Sequence, residues 1–329
     1  METTKETQLP PPPGVVGALR AGLDIASTHL SVMLMPLALD LLLWFGPRLS
    51  VKGIFLPVID QMVKINVSNG LPADSLTLLQ TASSDYLSQF NLFSLLRTFP
   101  IGVASLMTNK MPVQTPLGGQ AVIEVGSAGS FILLMFGLTF LGWILGGLYF
   151  NSVSRVTQNG EAVPGVIRTI VQTLLYSIGM TILSLVIGLP ILVLLVILEL
   201  LSPTLMQVAL IVLVLFATWL IVPVYFSSFG IYLRGENALT STWSSLRLAR
   251  FTLPTSSIFV LAAFIISYGL NFLWEVPTDN SWMMLVGVLG HAFVATALLI
   301  SSFVYYRDMN AWLLLALERM KPKTATPQA

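Results

Sequence analysis

Asp40 and His291 are the candidate binding residues of this chain, because each is a titratable side chain set inside a long apolar run. An ionisable group in hydrocarbon costs about 3 kcal/mol or more, so such a residue faces other helices or water, and a functional one marks an ion or substrate path. Asp40 stands one turn after Pro36 in the run Ala26–Gly46. It reads either as an ion or substrate contact, or as a neutral or paired carboxyl near the outer end that reaches Arg48. His291 stands about ten residues into Trp282–Tyr306, one turn beyond Gly287, where a neutral imidazole would hydrogen-bond a neighbouring helix. A proton-coupled route would bring the two together around a wet cavity. The expectation is instead that they are unconnected in a dry, apolar interior.

Other chemistry is thinly represented. His29 and His291 are the only histidines and there is no cysteine, which excludes a multi-histidine metal site and thiolate chemistry. No phosphate-binding loop or nucleophile elbow occurs, and the acids are scattered singly. Glu199 and Glu275 lie near run ends and should reach the interface. No enzymatic role, cofactor or metal is expected, and a net charge of +1 gives no reason to expect nucleic acid.

The elements that must position Asp40 and His291 are apolar runs at Ala26–Gly46, Gly129–Phe150, Val171–Leu198, Met206–Phe229, Ser256–Trp274 and Trp282–Tyr306. Each approaches the roughly 20 residues that cross a bilayer core about 30 Å thick. Charged residues are only 9% of the chain, too few to cover a soluble fold of this length. The fold expected is all-α: a polytopic membrane helical bundle of six spans in three hairpins, with short interfacial helices and an extracytoplasmic helical insertion. It divides into a flexible tail at 1–13, an interfacial helix and first span at 14–46, the insertion at 47–128, a five-span bundle at 129–306, and an interfacial helix and tail at 307–329.

Orientation follows from Lys and Arg in short loops. Lys5, Arg20, Arg155, Arg168, Arg234, Arg247, Arg250, Arg307, Arg319, Lys321 and Lys323 all fall on one side, while the turns near Leu201–Thr204 and Glu275–Ser281 carry none. Both termini are therefore expected in the cytoplasm. Arg48, Lys52, Lys64, Arg97 and Lys110 lie in the long insertion, which translocates largely regardless of charge. A rival reading makes Phe90–Met107 a seventh span.

Short repeats favour six. Tyr149-Phe150-Asn151-Ser152 leads to Gly160-Glu161-Ala162, Tyr225-Phe226-Ser227-Ser228 leads to Gly235-Glu236-Asn237-Ala238, and Tyr305-Tyr306 leads to Asn310-Ala311. Each copy would be an interfacial helix and a hairpin. In that register the insertion sits in the turn of the first hairpin. Leu79, Ala82, Tyr86, Phe90, Phe93 and Leu96 recur at helical spacing within it and predict one apolar face, as a membrane cap or as a lid. Gly142 and Gly146 have the spacing of a close helix contact. Pro190 and Pro223 should kink their helices. Leu239, Trp243 and Leu246, with Arg247 and Arg250 opposite, suit the headgroup region.

The connector Glu236–Arg250 followed by an apolar span, and the ending Phe303-Val304-Tyr305-Tyr306-Arg307, resemble a group of six-helix prokaryotic membrane proteins. That group is related to the membrane domain associated with glycerophosphodiester phosphodiesterases. The likeness covers about Gly129–Trp312, includes no phosphodiesterase domain, and implies fold rather than activity. The insertion has no counterpart in it. The expected function is a non-catalytic accessory or scaffold component of the cytoplasmic membrane, with a transporter or permease subunit for a small or lipidic solute as the alternative. The lipid bilayer is the expected partner, and other membrane proteins are further candidates.

Overall fold

The computed structural model describes residues 11–68, 73–158 and 163–320. Most of the tail expected at 1–13, the Gly160-Glu161-Ala162 copy of the repeat, and Lys321 and Lys323 lie outside the described residues. The described chain is an all-α polytopic helical bundle with four strands of two or three residues. Five stretches are long and apolar enough to cross a membrane: α6 (Ala128–Thr157), α7 (Val166–Leu201), α8 (Pro203–Phe226) with the short α9 (Phe229–Leu233), α10 (Ala238–Trp274) and α11 (Met284–Met320). Pro190 and Pro223 sit within α7 and α8, which continue through them.

The run Ala26–Gly46 is not the single helix its length suggested. α1 (Val15–Thr28) stops at His29, and α2 (Leu34–Phe45) begins after a 3-10 turn at Leu30–Met33. Ser27 Oγ donates to Asp24 O at 2.8 Å and Thr28 Oγ1 to Ile25 O at 3.0 Å, so side chains occupy carbonyls at the end of α1. Pro36, which has no N–H, is tolerated because it falls in the first turn of α2. α2 has 12 residues, about 18 Å of rise, so a sixth crossing exists only if the broken pair makes it together. The expected interfacial helices before the fifth run and after the sixth are likewise not separate. They are the ends of α10 and α11, each 37 residues or about 55 Å long, and must project beyond the hydrocarbon.

The chain forms two compact units. One comprises Leu30–Ser152 and Ser267–Thr296, and therefore holds the whole insertion. Here β1 (Arg48–Ser50) pairs in parallel with β4 (Val122–Glu124), Arg48 opposite Val122, which closes the insertion at its base. Between them lie α3 (Lys52–Ser68), α4 (Ala73–Gln89), a 3-10 turn at Leu92–Leu96, the short α5 (Met107–Lys110), and a small antiparallel pair, β2 (Gln114–Thr115) with β3 (Gly118–Gly119). The segment Phe90–Met107 contains no helix able to span, and with both ends of the insertion zipped together the seventh-span alternative falls. The predicted apolar face also differs. α4 ends at Gln89, where Asn91 starts the 3-10 turn by accepting from Phe93 N at 3.1 Å and from Leu49 N at 3.0 Å. α4 turns Leu76 inward and pairs with α3 through Gln80 and Asp60 at 2.6 Å, leaving Leu79 and Tyr86 exposed.

The other unit comprises Met1–His29, Val153–Ile266 and Ala297–Ala329. Its centre is aromatic: Phe226, Phe259 and Phe303 are buried with Tyr305 and Tyr306, and Phe259 stacks on Tyr305 at 4.2 Å. It is also rich in buried hydroxyls, contrary to the expected apolar interior. Thr173 bonds Tyr232 at 2.6 Å, Tyr225 bonds Ser302 at 2.6 Å, Tyr176 bonds Ser227, and Ser245 Oγ donates to Pro223 O at 2.6 Å. Where lipid competes equally for apolar surface, such pairs and close packing hold helices together.

Candidate functional site

Asp40 and His291 meet. Asp40 Oδ2 lies 3.5 Å from His291 Nδ1, with Asp40 fully buried and His291 8% exposed, which corrects the expectation that they are unconnected. Neither of these two atoms has a hydrogen-bond partner, so they face each other at ion-pair distance only. Five residues of rise separate Asp40 from the end of α2 and seven separate His291 from the start of α11, so the pair sits about 8–10 Å below those helix ends.

The third member comes from the insertion. Ser105 Oγ donates to Asp40 Oδ1 at 2.6 Å, and the Met107 N–H donates to the same oxygen at 3.0 Å. That N–H opens α5, where the first amides have no partner within the helix. Ser105 is itself fixed, since its Oγ accepts from Thr108 N at 3.2 Å and from Thr108 Oγ1 at 3.0 Å. Arg97 braces the loop from the other side through Ser105 O at 3.3 Å and Asn109 Oδ1 at 2.7 Å. Burial pulls the Arg97 guanidinium below its ordinary pKa, and the Asp40 charge pushes against that. Arg48, the expected partner of Asp40, instead donates to Ser88 O at 2.5 Å.

Non-helical backbone can lie at this depth only where protein covers it. Leu92, Leu96, Ile101, Val103 and Leu106 are all buried. Gly142 and Gly146 on α6 make the close approach possible, but their partner is this loop rather than a helix. A Cβ at Gly142 would stand 2.8 Å from Leu96 O, and one at Gly146 2.8 Å from Gly102 Cα. On α11, Gly290 makes room for Trp274, whose ring a Cβ would meet at 2.5 Å. Lys110 then ties the loop to the Glu275–Ser281 turn, binding Glu275 O at 2.9 Å, Pro277 O at 2.8 Å and the Asp279 carboxylate at 3.0 Å.

The arrangement is not a nucleophilic triad, because Asp40 stands between serine and histidine and the bond that would activate Ser105 is absent. What it can do is hold a proton or a charge between Asp40 and His291, or clamp the loop. Glu275 follows the end of α10 and Glu199 is exposed near the end of α7, so neither joins it. Among the described residues no group of three or more His, Cys, Asp or Glu side chains is placed to hold a metal ion.

A second polar cluster, in the other unit, is not apparent in the sequence, where Arg234 reads only as a loop charge. Its guanidinium gathers Tyr306 OH at 2.8 Å, Glu236 Oε1 at 3.0 Å and Asn310 Oδ1 at 3.2 Å, residues from two copies of the repeat. Gly235, at φ +63°, provides the left-handed turn that brings Glu236 back toward Arg234. Compared with known proteins, the chain matches no family model, no curated protein and no solved structure.

Proposed function

We propose that this protein is a non-catalytic membrane component, an accessory or scaffold whose spans hold the 47–128 segment as a rigid platform. The observation that carries the reading is how Asp40 is used. Its Oδ1 is occupied by two donors of the insertion and the side chain has no exposure. Trp44 Nε1 on Asp279 O at 2.8 Å and Gln120 Nε2 on Leu43 O at 2.8 Å do the same work nearer the helix ends. A carboxylate whose Oδ1 is held by two donors of its own fold serves as a brace, whereas a carrier site has to open and exchange its occupant. The platform lies outside a prokaryotic cytoplasmic membrane, with both termini inside, and its partners are the bilayer and other membrane proteins. The resemblance to the membrane domain associated with glycerophosphodiester phosphodiesterases is consistent with that setting and brings no activity.

One observation favours a proton-coupled permease as the second reading. Asp40 Oδ2 and His291 Nδ1 face each other without further partners beside covered, non-helical backbone, the surroundings in which transporters place coupling sites. Proteoliposomes with a trapped pH dye separate the two. Under an imposed proton gradient, wild-type and Asp40→Asn vesicles should both dissipate no faster than empty ones. Protein-dependent dissipation that Asp40→Asn abolishes would replace the scaffold by the permease.

A further inference from the structure

We infer that the unit holding Val153–Ile266 carries a binding site for one anionic phospholipid, in the cleft between α8 and α10. The cleft has a volume of about 390 Å³ and is lined by Trp219 and Pro223 of α8 and by Leu246, Ala249, Arg250 and Leu253 of α10. Its walls are apolar, one cation stands in it, and no carboxylate does. Arg250 is exposed and, like the neighbouring exposed Arg247, makes no ion pair among the described residues; its guanidinium lies 5.9 Å from the centre of the Phe251 ring and has no carboxylate to neutralise it.

Depth supplies an independent argument. About 20 residues of helix cross the hydrocarbon. Counted back from Trp274 at the end of α10, that length reaches about Pro254, which leaves Arg250 roughly one turn beyond, among the headgroups. On α8, Pro223 O accepts from Ser245 Oγ at 2.6 Å, so Trp219, one turn before Pro223, stands near the level of Ala249 and Arg250. The cation of the cleft lies where a phosphate would be, with its aromatic and aliphatic walls beside it for the start of a fatty chain. Basic pockets between membrane helices bind acidic headgroups in this manner. The ring of Trp243, 66% exposed one turn before Arg247, adds an interfacial anchor beside it. The inference stands apart from the scaffold reading, because a permease could hold the same lipid.

The test is native mass spectrometry of the full-length protein in mild detergent, titrated with phosphatidylglycerol or with phosphatidylcholine of identical chains. The wild type should retain one phosphatidylglycerol at roughly a tenfold lower concentration than phosphatidylcholine. Arg250→Gln should erase that preference, Trp219→Ala should weaken retention of both lipids, and Arg20→Gln, a change to an exposed cation elsewhere, should alter nothing. Equal retention of the two lipids by the wild type, or an unchanged preference in Arg250→Gln, would overturn the assignment. So would displacement by millimolar inorganic phosphate, which would make the site one for a free anion, or loss of lipid only when a copurifying protein occupies the cleft.

Discussion

Asp40 shows how far a single residue can be read and where the reading stops. Its type and place inside an apolar run single it out from sequence, as they do His291. Its partners are not readable, because Ser105 and Met107 lie 65 and 67 positions away and meet it only through the fold of the insertion. Nearness in sequence suggested Arg48, yet a flexible cation takes the first acceptor within reach, here Ser88 O. The brace has a measurable signature. Asp40→Ala leaves the Ser105 hydroxyl, the Met107 amide and the His291 ring facing an apolar gap, and each buried polar group left without its partner costs about 1–3 kcal/mol. Ser105→Ala deletes one donor while Met107 remains, so the loss should be nearer 1–2 kcal/mol. Apparent Tm in detergent should therefore fall much further for Asp40→Ala than for Ser105→Ala. The double variant should lie close to Asp40→Ala alone, since the two share one interaction. Additive losses would mean that Ser105 and Asp40 are not coupled.

Elements were legible where length decides and obscure where neighbours decide. The long helices follow from apolar run length, since few other states satisfy the backbone of 20 apolar residues. The stop at His29 left traces in Ser27, Thr28 and Pro36, each harmless alone and decisive together. The face of α4 could not be found from periodicity, because α3 selects which side is inward: Leu76 is buried and Gln80 bonds Asp60, while Leu79 and Tyr86 are left exposed. Glycines separate packing from mere presence. Gly146→Ala puts a methyl 2.8 Å from Gly102 Cα, and backbone cannot yield as a side chain can, so stability should drop by about 1–3 kcal/mol. Gly290→Ala, 2.5 Å from the Trp274 ring, should drop comparably. Gly137 on the same helix as Gly146 has nothing within 4 Å, so Gly137→Ala should be neutral or better by up to about 1 kcal/mol through helix propensity. Thermal melts of the three single variants decide this, and equal effects at Gly137 and Gly146 would mean that the loop is not packed on α6.

At the scale of the whole molecule, sidedness joins the charge pattern to the geometry. The Lys/Arg asymmetry is the ground for expecting the Glu275–Ser281 turn outside, and charge alone is silent on the long insertion, because long segments cross regardless of it. The coordinates add the missing link within one unit. Lys110 binds Glu275 O, Pro277 O and Asp279, and Trp44 binds Asp279 O, so the insertion and that turn must lie on one side of the membrane. The β1–β4 pair then forbids the chain from crossing between Ser50 and Val122 and ending on the far side. The prediction is that Thr81 and Thr278 share a compartment and that Asn237 lies in the other. The chain has no cysteine, so single replacements Thr81→Cys, Thr278→Cys and Asn237→Cys can each be probed without background. In intact cells an impermeant maleimide should label the first two, and the third only after permeabilisation. Thr81 and Thr278 labelling from opposite sides would break the tie through Lys110. All three labelling together would mean that the number of crossings between Thr81 and Asn237 is even, which α6, α7 and α8, three helices long enough to cross, do not allow.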